Sequence, residues 1–350
     1  MTNARIPWLI AVLIPFGLLL AGCLERKETI RVDRDGGVEI ELTLTGEPAE
    51  FVGGDALPTL DSDWSVRDRI ETDNKDRQTQ IREARLRVPA GEPLPDSFAP
   101  ADTPEYEASL RFPTELKIER RADGMYYHFK RVYQARQLAR FEVYKEAVNL
   151  SGLLKEMEGK DPSELSDEQL HSLLTALRAL EGFKYAEYVS GATGALEEHW
   201  PQHYGLLLRQ TVLKHFEQAD LEPVMALMRE PQSPERDQAI NDIGNELVAA
   251  IEPLLQEQLR ELRVPRAQVE KFFEAYELEQ ARHHVTEDLG DESFEVAVAM
   301  PGEIVAHNAD RIEDRQAVWK FPAKMFMDRD WVLMVTSRTD RGAAGSNARD

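Results

Sequence analysis

Cysteine is nearly absent from this sequence: Cys23 stands alone in 350 residues. One thiol forms no disulfide within the chain and supplies no multi-thiolate zinc site or iron–sulfur cluster. Whatever folds here must be held by its core. Positive charge is also scarce, with 42 Lys and Arg against 64 Asp and Glu, a net of −22. That balance excludes nucleic acid as a partner, because phosphates would be repelled. It also disfavours broad contact with an anionic membrane, and serves solubility. Long apolar runs are missing after residue 22, the C-terminus included. Missing too are a nucleophile elbow around Ser151, Ser190 or Ser337, and a phosphate loop: Gly191-Ala192-Thr193-Gly194 lacks the lysine and reads as a turn. No cofactor is implied.

What is present begins at the N-terminus. Arg5 precedes an apolar run from Ile6 to Leu20, interrupted by Pro7, Pro15 and Gly17. The run is shorter than the roughly 20 residues of a spanning helix, and its prolines disfavour one. It reads as a secretory signal over residues 1–22. Leu20-Ala21-Gly22-Cys23 resembles the lipobox of bacterial lipoproteins. The resemblance implies cleavage before Cys23 and lipid on its thiol, which also removes Cys23 as a nucleophile. Two acyl chains give stable anchoring. Membrane attachment is therefore expected through Cys23. Leu24 in the next position, by similarity to enteric lipoproteins, favours the outer membrane over the inner.

The rest of the chain changes period twice. Ile30, Val32, Val38, Ile40, Leu42 and Leu44 alternate with polar residues around Asp35-Gly36-Gly37, a hairpin pattern. Trp64–Thr72, Thr79–Val88, Glu107–Phe112, Glu115–Arg121 and Met125–Tyr133 read as strands, and proline-rich 89–104 as loop. From Gln134 the spacing becomes helical. Ser166-Asp167-Glu168-Gln169 is a capping box before Leu170, Leu173, Leu174, Leu177 and Leu180. Helices are expected over Tyr204–Phe216 and Leu221–Met228. A long stripe from Ile240 to Leu262 should be kinked by Pro253, and a last helix opens at Pro265 and stops at Gly290. Strand pattern returns at Phe294–Met300, Ala317–Phe321 and Trp331–Thr336.

The expected fold is α+β: an antiparallel β-rich domain built from both ends of the mature chain, with an inserted helical domain. The boundaries are 23–133 and 291–337 for the β parts and 134–290 for the insertion, with a disordered tail over 338–350. Two tandem domains with a C-terminal hairpin are the alternative.

Two patches carry a family resemblance. One is the hairpin with an Asp-Gly turn soon after Cys23. The other is Met300-Pro301-Gly302-Glu303-Ile304-Val305-Ala306-His307-Asn308 followed by Val318-Trp319-Lys320. Together they resemble the LppM-type domain of bacterial lipoproteins, over about half the mature chain. Ala309 departs from the glycine common in that turn, and the helical insertion has no counterpart. The resemblance implies an envelope protein that binds lipid or glycolipid; no site residues carry over.

Candidate chemistry is thin. His199 and His203, beside Glu198, have helical metal spacing, but Pro201 between them disfavours one helix face, so no metal site is expected. His283-His284 suits a helix end. From Arg111 to Lys145 nine cations face four acids. There Tyr127, Phe129, Arg131 and Tyr133 share one strand face, and Tyr126, His128, Lys130 and Val132 the other. The first four are the candidate binding residues for an anionic headgroup, glycan or protein; the competing reading makes one face core and the other solvated. The function expected is a non-catalytic envelope binding module for lipid, glycolipid or a protein partner. The alternatives are an assembly partner docking through the helical insertion, and a hydrolase with a carboxylate site.

Overall fold

A computed structural model describes residues 24–340 except 54–56, 102, 138, 158–159, 197–199 and 291. The signal segment, Cys23 and residues 341–350 fall outside the described residues. The fold is α+β, with a helical segment between two β regions. Two compact units result: Ala139–Gln280, which is helical, and Gly22–Leu138 with Ala281–Asp350, which holds both sheets.

Eleven strands form among the described residues: β1 (Glu25–Val32), β2 (Val38–Gly46), β3 (Ser65–Thr72), β4 (Gln78–Val88), β5 (Thr114–Arg121), β6 (Gly124–Tyr133), β7 (Ser293–Ala299), β8 (Glu303–His307), β9 (Arg311–Glu313), β10 (Gln316–Pro322) and β11 (Trp331–Asp340). The first sheet has the order β3-β4-β2-β1-β7-β10-β9 and the second β5-β6-β11-β8. Every pairing is antiparallel but one: β1 runs parallel to β7, with Ile30 opposite Val298. A parallel pair needs a crossover connection, and the helical segment lies within it. Both ends of the chain thus meet in one sheet.

Period-2 alternation explains the strands. In β1 and β2 the apolar positions Ile30, Val32, Val38, Ile40, Leu42 and Leu44 are all buried. Gly36 supplies the hairpin's positive φ of 94°. The core of this unit is aromatic. Phe294 stacks on Phe321 at 5.5 Å, and Tyr133 lies 5.5 Å from both Phe321 and Phe326. Rings of this size, fully buried, contribute about 1.5–3 kcal/mol each. Trp319, 2 % exposed, donates from Nε1 to Asn308 Oδ1 at 3.1 Å. The same oxygen accepts from Met334 N at 2.8 Å. One amide therefore ties the first sheet to the second.

The helical segment comprises α1 (Ala139–Ala147), α2 (Leu150–Glu156), α3 (Asp167–Gly194), α4 (Gln202–Glu217), α5 (Glu222–Met228), α6 (Pro234–Ala249), α7 (Ile251–Glu261) and α8 (Arg266–Leu289). Ser166 and Gln169 make the reciprocal capping-box bonds that open α3. Its Leu170–Leu180 stripe packs with Val224, Met228 and Ile240.

Several expectations are corrected. Glu107–Phe112 forms no strand; a helical turn, Pro104–Ala108, occupies its first part, started by proline at its first position. Gly191–Gly194 is not a turn but the last turn of α3, where Ser190 and Thr193 hydroxyls donate to carbonyls one turn back. The stripe from Ile240 to Leu262 is two helices, broken at Ala250, because Pro253 has no N–H for the carbonyl of Ala249. β11 continues to Asp340, past the expected strand end at Thr336 and into the expected tail from 338, because Arg338 and Asp340 still pair with Tyr126 and Gly124.

Candidate functional site

Alternation on β6 decides where its side chains go. Tyr127, Phe129 and Tyr133 are each no more than 2 % exposed, and Arg131 is fully buried. Arg131 Nη1 donates to both carboxylate oxygens of Glu28 at 2.6 Å, and Nε donates to Thr114 Oγ1 at 2.8 Å. Its guanidinium lies 4.6 Å from the Phe112 ring centre. Glu28 belongs to the first sheet and Arg131 to the second, so the pair bridges them through the core. Beside it Arg26 donates twice to Glu292, at 3.0 and 3.1 Å. Buried charges persist only when paired and hydrogen-bonded, and these are. Burial pushes the Tyr133 hydroxyl up to about 12, with the Glu28 carboxylate adding to the shift. Arg136 is partly buried. Desolvation and the charge of Arg282 lower it to about 10. It donates to the carbonyls of Ala108, Ser109 and Arg282 and to Thr286 Oγ1, at 2.7–3.0 Å. The four candidate binding residues are thus brought together as core.

The opposite face of β6 is the more solvated one, and its side chains interact with one another and with their neighbours. Tyr126 donates to Asp123 at 2.6 Å and carries Arg121 over its ring at 4.4 Å. His128 stacks on Tyr126 with ring centres 6.3 Å apart, and its Nδ1 lies 3.1 Å from Thr336 Oγ1. Of the histidine pair, His199 falls outside the described residues, as does Glu198; His203 packs edge-on to Tyr204 at 4.7 Å. His283 is buried in α8 with Glu287 3.3 Å away. No group of three or more His, Cys, Asp or Glu is placed for a metal among the described residues.

A concave feature of the β unit lies elsewhere, where the two sheets present their free edges. β8 ends the second sheet and β9 ends the first. An open groove of about 510 Å³ runs there, in the size range of small-molecule sites. Arg34, Arg315, Arg338 and His307 line it, with Ile304, Ile312, Glu303 and Asp340. Arg34 sits in the β1–β2 turn, whose carbonyl is held by the Tyr127 hydroxyl at 2.9 Å.

Two backbone irregularities shape the groove. Ala306 pairs with Thr336 and Ile304 with Ser337, leaving Val305 as an extra residue in a bulge. Bulges re-aim neighbouring side chains and blunt an edge against further strand pairing. The β9–β10 turn places Asp314 at φ 43° and Arg315 at φ 68°. Two positive values define the tight hairpin turn that normally takes Asn-Gly. Asp314 suits the first position, but Arg315 stands where glycine is usual, at a cost of roughly 1–2 kcal/mol. Gly302, at φ 79°, forms the floor, where a Cβ would come 2.1 Å from the Arg338 carbonyl oxygen.

The groove's cations differ in how they are engaged. Arg315 is exposed and takes part in no hydrogen bond or ion pair among the described residues. Arg338 faces Asp123, Glu303 and Asp340 at 3.6, 4.0 and 3.7 Å, all beyond hydrogen-bond reach. His307 Nδ1 accepts from Ala309 N at 3.1 Å, which leaves Nε2 as the protonated donor in the neutral ring. The two acids on the rim, Glu303 and Asp340, have side chains 77 % and 82 % exposed. Sequence reading missed this site because its residues come from four separate stretches; the one local signal was Asp314-Arg315 between two strand-forming segments.

No known family matches the chain, and no curated protein does. Among solved structures, the folded domain of the LppM protein of Mycobacterium tuberculosis, determined by NMR, aligns with a TM-score of 0.28 at 10 % identity. The alignment covers 92 % of this chain and 93 % of that one. That score is too low to bear on fold or function.

Proposed function

We propose that the protein is a lipoprotein of the cell envelope, held to a membrane by lipid on Cys23, whose β unit is a non-catalytic binding module for a lipid, glycolipid or protein partner. The signal-and-lipobox pattern of residues 1–23 supports the anchor. The groove between β8 and β9 carries the binding reading. It is concave, it gathers cations in a protein of net −22, and strained backbone presents its arginine. The interior of the unit, by contrast, is filled by rings and ion pairs. Among the described residues no helix is long and apolar enough to cross a membrane. By the Leu24 argument the outer membrane is favoured.

The test uses the full chain made in a bacterial host fed an alkyne-tagged fatty acid, as wild type, Cys23→Ala and Arg315→Ala. The tag and the membrane fraction should be lost in Cys23→Ala. Lipids and proteins copurifying with the wild type, identified by mass spectrometry, should be depleted in Arg315→Ala. Tag retained on Cys23→Ala sinks the anchor; an identical copurifying set in Arg315→Ala sinks the groove.

A second reading, docking through the helical segment, draws on Leu206, Leu207 and Leu254, which are 62 %, 37 % and 36 % exposed on α4 and α7. Leu206→Glu would then deplete protein partners that Arg315→Ala leaves in place.

A further inference from the structure

We infer that the groove between β8 and β9 is an oxyanion site, built for a phosphate ester that Arg315 and Arg338 clasp from opposite walls. This deepens the binding-module reading and rests on it. Arg315 comes from the β9–β10 turn and Arg338 from near the end of β11, with Arg34 and His307 adding donors from the β1–β2 turn and β8. A guanidinium presents donors in a planar fork that matches two oxygens of a phosphate at once. A buried arginine of this unit shows that fork filled: Arg26 meets both oxygens of Glu292 through Nε and Nη2 at 3.0 and 3.1 Å. Arg315 and Arg338 do not show it filled. Arg315 has no partner among the described residues, and Arg338 has carboxylates around it but none in hydrogen-bond range. Arg338 Nε is screened from solvent and makes no hydrogen bond.

The backbone points the same way. Glycine would occupy the second turn position without strain, yet Arg315 stands there at φ 68°. A site that keeps strain where a free cation projects into a groove trades stability for a contact made only with ligand. Ile304 and Ile312, the latter 42 % exposed, give one wall an apolar strip for the carbon part of the ester. Glu303 and Asp340 pair with Arg338 only at 4.0 and 3.7 Å, beyond hydrogen-bond range, and they sit where they would repel a multiply charged polyanion such as a nucleic acid. The ligand class is therefore a small monoester or diester of phosphate, free or as a lipid headgroup.

The experiment takes the full acylated chain in dodecyl maltoside micelles, which contain no phosphate. Inorganic phosphate, glycerol 3-phosphate and dihexanoyl phosphatidylglycerol are titrated separately, by calorimetry and by thermal shift, at constant ionic strength set with chloride. Saturable binding of at least one probe with a stoichiometry of one is expected. Tightest binding of glycerol 3-phosphate marks a free ester as the source; tightest binding of the short-chain lipid marks a headgroup. Arg315→Ala should weaken that binding at least tenfold, and Arg67→Ala on β3 should leave it unchanged. Arg315→Gly should raise the unliganded Tm while losing the binding, a split that a purely structural arginine would not produce. Wild type that binds none of the probes overturns the inference, as does Arg315→Gly binding as tightly as wild type. Where copurifying molecules are still lost with Arg315→Ala but no phosphate probe binds, the oxyanion assignment falls and the binding module stands. Where neither depends on Arg315, both fall.

Discussion

The β unit uses arginine in two opposed ways. In the core, Arg131 and Arg26 are sealed from water and each faces a carboxylate with hydrogen-bond geometry. At the seam between β8 and β9, Arg315 is exposed and Arg338 has carboxylates at 3.6–4.0 Å but none in hydrogen-bond range. Desolvation explains the difference. A guanidinium without water must be given its counter-charge by the fold, whereas one at a groove can leave its donors to solvent until something else arrives. The contrast separates arginines bonded between packed elements of the core from arginines left at a groove, and it is open to direct attack.

The largest effect is expected in the core. Arg131→Ala leaves Glu28 charged, buried and alone, and should cost about 3–5 kcal/mol in urea unfolding. Adding Glu28→Leu should recover most of that loss, because an apolar pair needs no counter-charge. If the double variant is no better than the single one, the pair does more than balance charge. Next comes an alkaline test of the same cluster. Tyr133 ionises near 10 when unfolded and is raised to about 12 when folded. Its contribution is therefore complete below pH 10 and is lost as pH rises through 12, about 3 kcal/mol in all. Comparing wild type with Tyr133→Phe over pH 9–12 isolates it: the variant should lose less stability across that window. At the seam the sign reverses. Arg315→Gly should stabilise by about 1 kcal/mol by relieving the left-handed backbone, measured by the shift in urea midpoint. A loss of stability there would place Arg315 among the structural arginines. Arg31→Ala, on an exposed pair with Glu39 at 3.0 Å, should change stability by less than about 0.5 kcal/mol and sets the baseline.

Much of the architecture was legible because local rules carried it. The Asp35-Gly36-Gly37 turn, the Ser166–Gln169 box and the break before Pro253 each depend on a few adjacent residues. The failures were also local in origin. Gly191 and Gly194 look like turn residues, but α3 continues through them. On β6 the two faces were read correctly as sets, and only tertiary structure tells which one is inside. Arg26 and Glu28 extend the inward alternation of Ile30 and Val32, yet as charged residues they mimic a solvent face. The groove was illegible for a different reason. It draws on positions 34, 302–307, 312–315 and 338–340, which nothing in linear spacing joins.

The parallel pairing of β1 with β7 has a consequence for how the molecule is made. Arg26 and Glu292, bonded across that seam, are 266 positions apart. A chain emerging from its N-terminus therefore carries β1 with one edge unsatisfied until nearly all of it has been synthesised. The β1–β2 hairpin can close early, but the sheet cannot, and loops of that length make closure slow and leave a sticky edge exposed meanwhile. Such a chain would profit from a chaperone that covers β1 during synthesis and transit, and a truncation anywhere before β7 should yield a product that aggregates rather than a smaller folded protein.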